Sequence, residues 1–132
     1  MSFATDINAI MTADTSLNGL VDGGIHYENL IDNWLANTSY NEWVVYAFNK
    51  TEQVNCVDSK NVYMNYLMNV TVIQRDTNTN IDTITDRLIN YLNNLADGNI
   101  IDIAFKSDNH GFGQQQGIYT NTLDFDVTYI EN

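Results

Sequence analysis

The chain has 132 residues and carries 17 acidic side chains against 5 basic ones, a net charge of −12. This length holds one domain with one core, and a 44% hydrophobic content is that of a folded chain, not a disordered one. Lys50, Lys60, Arg75, Arg87 and Lys106 are scattered, which argues against the clustered cations of a sequence-reading DNA or RNA surface, and no stretch reaches the ~20 apolar residues of a membrane span.

In chain order, Ile7, Ile10 and Met11 fall at helical spacing within residues 5–13, with Phe3 just upstream and Ser2 or Thr5 as a cap. A second short helical turn at 15–21 stops at Asp22-Gly23-Gly24. Ile25-His26-Tyr27 reads as a short extended piece. Residues 28–42 read as an irregular connection anchored by Leu30, Ile31, Trp34 and Leu35. The apolar, β-branched and aromatic run from 43 to 49 predicts a central strand covered on both faces. The polar stretch 50–60 predicts a long hairpin loop or extended arm.

Residues 61–75 alternate, with Val62, Met64, Tyr66, Met68, Val70 and Val72 on the packed face. After caps at 76–80, Ile81, Ile84, Leu88, Tyr91, Leu92 and Leu95 recur at spacings of three and four, predicting a helix over 81–95. Asp82 and Asp86 suit its first turns, and Asp97-Gly98 ends it. Residues 100–106 predict a strand, and 107–117, with Gly111, Gly113 and Gly117, a mobile loop. The closing strand, 118–130, puts Tyr119, Leu123, Phe125, Val127 and Tyr129 on one face. The sum is an α+β fold: a mostly antiparallel sheet of 4–5 strands with two main helices packed on one face, in a single domain over 1–132.

Reaction chemistry is hard to find. Asp76-x-Asn78-x-Asn80 opens like a calcium loop, but its sixth position is Ile81 and its twelfth Arg87. His26 and His110, even with Asp108, lack metal-ligand spacing. Cys56 stands alone, so it forms no intrachain disulfide, and in a polar loop it reads as incidental rather than as a nucleophile. Gly111-Phe112-Gly113 has no lysine and no following helix, so it is not a phosphate cradle. Trp34, Trp43 and the tyrosines fit core faces better than a base-stacking platform. Asp124 and Asp126 fit a solvated acidic stripe better than a catalytic pair. The first ten residues have no basic segment and no apolar core, so no signal peptide is expected. The expectation is no enzyme, no metal and no cofactor. The acidity itself has two readings: solubility, or a surface that lies beside nucleic acid without sticking to it.

Five stretches carry a resemblance. The first helix runs into TADTSLNGLVDGGIHY (12–27), a short helix, small-residue turn and strand. Trp43-Val44-Val45-Tyr46 opens the first long strand, and the alternating 62–73 strand leads straight into the helix at 81–95. IYTNTLDFDVTY (118–129) closes the chain after a Gly-rich loop. Together they resemble the tail terminators, or tail completion proteins, of long-tailed phages, over nearly the whole chain. Glu42 stands where that family often has Pro.

The resemblance implies a homo-oligomeric ring, usually of six subunits, that caps the tail tube, ends its polymerisation and joins the tail to the head. Its partners would be the tail tube protein and a neck or head completion protein, with DNA only as passing cargo and no membrane. It would sit at the head-proximal end of the tail in the virion, and in the host cytoplasm during assembly. A ring needs a heterologous interface, for which strand edges and the 50–60 arm are natural providers. The residues expected at the subunit or tube interface are Lys50, Glu52, Asp58, Lys60, Asp108, His110 and Phe112. An acidic lumen wall is expected from Asp124 and Asp126, with Asp108, Glu52 and Asp58 as further contributors. A head–tail adaptor ring is the nearer alternative; a monomeric α+β enzyme or ligand-binding module is the more distant one.

Overall fold

The structure is a computed structural model that describes residues 3–27, 40–55, 62–113 and 117–131. Helix α1 (Phe3–Ala13) buries Phe3, Ile7, Ile10 and Met11, one face of a 3.6-residue period. The shorter α2 (Thr15–Leu20) buries Leu17. Strands β1 (Ile25–Tyr27), β2 (Glu42–Asn55) and β3 (Val62–Arg75) follow, then α3 (Ile81–Leu92), β4 (Ile100–Gly113) and β5 (Ile118–Glu131).

Among the described residues these strands form one sheet in the order β1-β2-β3-β5-β4. Every pair is antiparallel except β1 with β2, where Ile25, His26 and Tyr27 run parallel to Val44, Val45 and Tyr46. The expected α+β layout is therefore present, with one parallel pair at the sheet's edge. Because β5 is antiparallel to both β3 and β4, those two strands are parallel to each other. The β3-α3-β4 crossover is split, and β5 fills the slot between its strands.

The core lies between one face of the sheet and the helices. Val44, Tyr46, Met64, Met68, Val70, Val72, Leu123, Phe125, Val127 and Tyr129 meet Ile7, Met11, Leu17, Ile84, Leu88 and Leu92 there. Each fully buried Ile or Leu contributes roughly 1.5–3 kcal/mol. Phe3 stacks on Tyr66 with ring centroids 3.7 Å apart and meets Phe48 edge-on at 4.8 Å. Tyrosine hydroxyls anchor α1: Tyr129 donates to Asp6 at 3.0 Å, Tyr91 to the Ile10 carbonyl at 2.8 Å, and Tyr46 to Asn8. Between α2 and α3, the Arg87 guanidinium donates twice to the Asp14 carboxylate, each at 2.7 Å.

Three expectations need correction. Residues 107–113 are not a loop: they are the second half of β4, paired with β5 from Ser107–Asp124 to Gly113–Ile118. Residues 50–55 are not an arm: they continue β2 against β3, past a register shift between Lys50 and Glu52. The helix stops at Leu92, not Leu95, because Asn94 turns to φ 67° and its N–H goes to the Ile103 carbonyl at 2.7 Å. The connection read at 28–42 lies outside the described residues up to position 39, as do Trp34 and Cys56.

Candidate assembly surfaces

The sheet's second face carries no helix among the described residues, and it changes character along its length. At one end Trp43, Ile73 and Ile118 are buried together with Val45 against them. The Arg75 guanidinium lies 5.0 Å from the Trp43 ring centroid. Gly23 is required there: a Cβ would come within 2.3 Å of the Trp43 ring and 2.6 Å of the Glu42 carbonyl oxygen.

Beyond this patch the same face is polar. The Thr71 and Thr122 hydroxyls lie 3.2 Å apart, and Asp124 accepts from Asn69 and from Ser107. Asn65 donates to Glu52 at 3.4 Å and accepts from Thr128 at 3.3 Å. Lys106 lies 3.6 Å from Asp126, both about half exposed. Glu52, Asp102, Asp124 and Asp126 thus share the face, by register, with Lys106 as the cation contacting Asp126. Asp126 is exposed as expected of an acidic stripe, whereas Asp124 is half-buried and already hydrogen-bonded.

The residues expected at an interface do not gather in one patch. Lys50 and Glu52 lie on β2, towards one edge of the sheet; Asp108, His110 and Phe112 lie on β4, at the opposite edge. Asp124 and Asp126 sit between, on β5. His110 reaches the first turn of α3, with Nε2 3.6 Å from Asp82, where both groups are too exposed for the pair to add much stability. Beside it, a cleft of about 360 Å³ is lined by Asn78, Ile81, Asp82, His110, Gly111 and Tyr119. Asp58, Lys60 and the Phe112 side chain lie outside the described residues. Among the described residues no cluster of three or more His, Cys, Asp or Glu could hold a metal.

Two polar features escape a reading of the sequence. Asp22 accepts the N–H groups of Asn41 (3.0 Å) and Glu42 (2.9 Å), fastening the turn before β1 to the start of β2. Burial works against its charge, but these donors outweigh it and hold the Asp22 pKa below the ordinary carboxylate value. Glu42, beside it, is shifted upward, first by burial and then by the nearby Asp22 carboxylate, although Asn80 donates to it at 2.9 Å. The second feature is Asn121, fully buried beneath α3, donating to Thr85 at 3.0 Å, with Oδ1 unpartnered. A polar residue at a core-facing position of β5, between Tyr119 and Leu123, was the visible signal for it.

No family model matches the chain, and no curated protein does. A solved structure does: a chain from "Virion of native gene transfer agent (GTA) particle" superposes with a TM-score of 0.69 at 13% identity, covering 98% of this chain and 100% of that one. The two chains share a fold. At that identity the likeness carries architecture and not activity.

Proposed function

We propose that this chain is a structural protein of a phage-like virion, and within it the ring that closes the tail tube and meets the neck. The observation that carries the first part is the end-to-end fold match to a chain of a virion particle. The finer role rests on the resemblance of residues 12–27, 43–46, 62–95 and 118–129 to tail terminators. The residues expected at an interface, Lys50 and Glu52 on β2 and Asp108 and His110 on β4, lie towards opposite edges of the sheet, which is compatible with the two different patches of a heterologous contact. The charged groups on the open face are mostly acidic, with Glu52, Asp102, Asp124 and Asp126 against Lys106 and Arg75, which suits a lumen wall past which DNA slides, because like charge discourages sticking. No catalytic role is assigned to any residue.

The test is to add purified protein to polymerising tail-tube subunits and to image the products with the protein labelled. Tubes of arrested length, with label at one end only, are the expected result. Label along the sides of tubes, or tubes that grow unchecked, would reject the terminator role. Binding to the portal vertex instead of free tube would assign the chain to the adaptor ring.

A further inference from the structure

Building on the ring reading, we propose that neighbouring copies join edge to edge. The outer edge of residues 106–111 of β4 in one copy adds, antiparallel, to the uncovered side of residues 47–52 of β2 in the next, so that separate sheets run on as one.

β1 covers β2 only at Val44, Val45 and Tyr46, whereas β3 follows β2 to Asn55. Among the described residues, 47–55 therefore has a strand on one side alone. At the other end of the sheet β4 is outermost; residues 93–97 already take up its outer edge at Ile100, Ile103 and Phe105, so among the described residues that edge is open from Lys106 to Gly113. Such edges present rows of main-chain donors and acceptors that template a further strand. The sequence contains no Pro to interrupt either one.

Direction and charge favour joining these two edges to each other. β2 opposes β3, β3 opposes β5 and β5 opposes β4, so β4 runs against β2. Copies related by rotation about a ring axis keep the same strand polarity along that axis. Placing β4 beside the next β2 then continues the antiparallel alternation.

One register also matches charge on both faces. Lys50 and Asp108 lie on the helix side of the sheet, opposite Tyr66 and Leu123. Glu52 and Lys106 lie on the open side, where they meet Asn65 and Asp126. Setting Lys50 opposite Asp108 of the neighbour sets Glu52 opposite its Lys106 and Asn49 opposite its Asn109. That register offsets successive sheets along the strands, the stagger that tilted strands carry in a closed barrel. Pairing β4 with a second β4 through a two-fold axis would leave residues 47–55 open and close at a dimer. For copies that each carry −12, a contact built from main-chain hydrogen bonds and two opposite-charge pairs is one that mutual repulsion opposes least.

The experiment places cysteines at Asn49→Cys and Asn109→Cys together in a Cys56→Ser background and treats the assembled protein with a short bismaleimide. A ladder of covalent multimers ending at the ring size is expected, with each single variant staying monomeric on a denaturing gel. A covalent dimer from Asn109→Cys alone would overturn the inference, because β4 would then meet β4. A ring seen by native mass spectrometry that stays unlinked in the double variant would overturn the edge contact and leave the ring reading standing. Wild-type protein that remains monomeric even on tail-tube tips would overturn both.

Discussion

The junction of Asp22, Glu42 and Asn80 shows how single residues set the pH response. Asp22 is held below the ordinary carboxylate pKa, so its contribution is present above that value and fades as pH falls. Glu42 has the opposite sign. Its folded pKa is raised, so the folded state gains from its proton in acid and loses that gain as pH rises through the shifted value. At neutral pH the Glu42 charge is a small cost. Glu42→Gln keeps the acceptor that Asn80 uses and removes the charge. Thermal unfolding at about pH 7 should show a gain of roughly 0.5 kcal/mol, the size expected where solvent screens a partly exposed pair. The gain should vanish near pH 4, where the wild-type carboxyl is protonated. Equal gains at both pH values would mean that packing, not charge, is responsible. None of this was legible in the sequence, because Asp22 and Glu42 are brought together only when β1 lies beside β2. Asn121 was partly legible, as a polar side chain at a core position, but its Thr85 partner was not.

At the scale of elements, what the sequence revealed depended on side-chain periodicity. β3, β5 and the start of β2 alternate or run apolar, and α3 buries Ile81, Ile84, Leu88 and Leu92 at the spacing the pattern predicts. The second half of β4 had no such signal. Ser107, Asp108, Asn109 and Gly111 are turn-forming types and His110 is polar, yet all five pair with β5 through the main chain, which is indifferent to side-chain hydropathy. The parallel pairing of β1 was likewise invisible, since a parallel partner far along the chain leaves no local mark. The core's dependence on α3 can be measured. Leu88 is fully buried, and Leu88→Ala should cost about 2–5 kcal/mol in denaturant unfolding with an unchanged m-value. A loss below about 1 kcal/mol would mean that α3 is not integral to the core.

For the whole molecule, charge and topology pull on assembly in different ways. Copies carrying −12 repel one another, so salt should favour their association. Between about 0.1 M and 1 M ionic strength the screening length falls from roughly 10 Å to 3 Å. Light scattering at fixed protein concentration should therefore report larger particles at the higher salt. Dissociation by salt would instead point to an interface dominated by ion pairs. The resemblance covered nearly the whole chain because the order of elements was largely readable; the two sheet edges were not, because edges exist only once strands are ordered in space. The slot that β5 fills also has a temporal meaning. During translation, β3, α3 and β4 leave the ribosome before the strand that must lie between them. Until residues 118–131 arrive, β3 and β4 have no common neighbour and the sheet is in two parts. A nascent chain therefore cannot complete its five-stranded sheet until β5, the strand between β3 and β4, has been made.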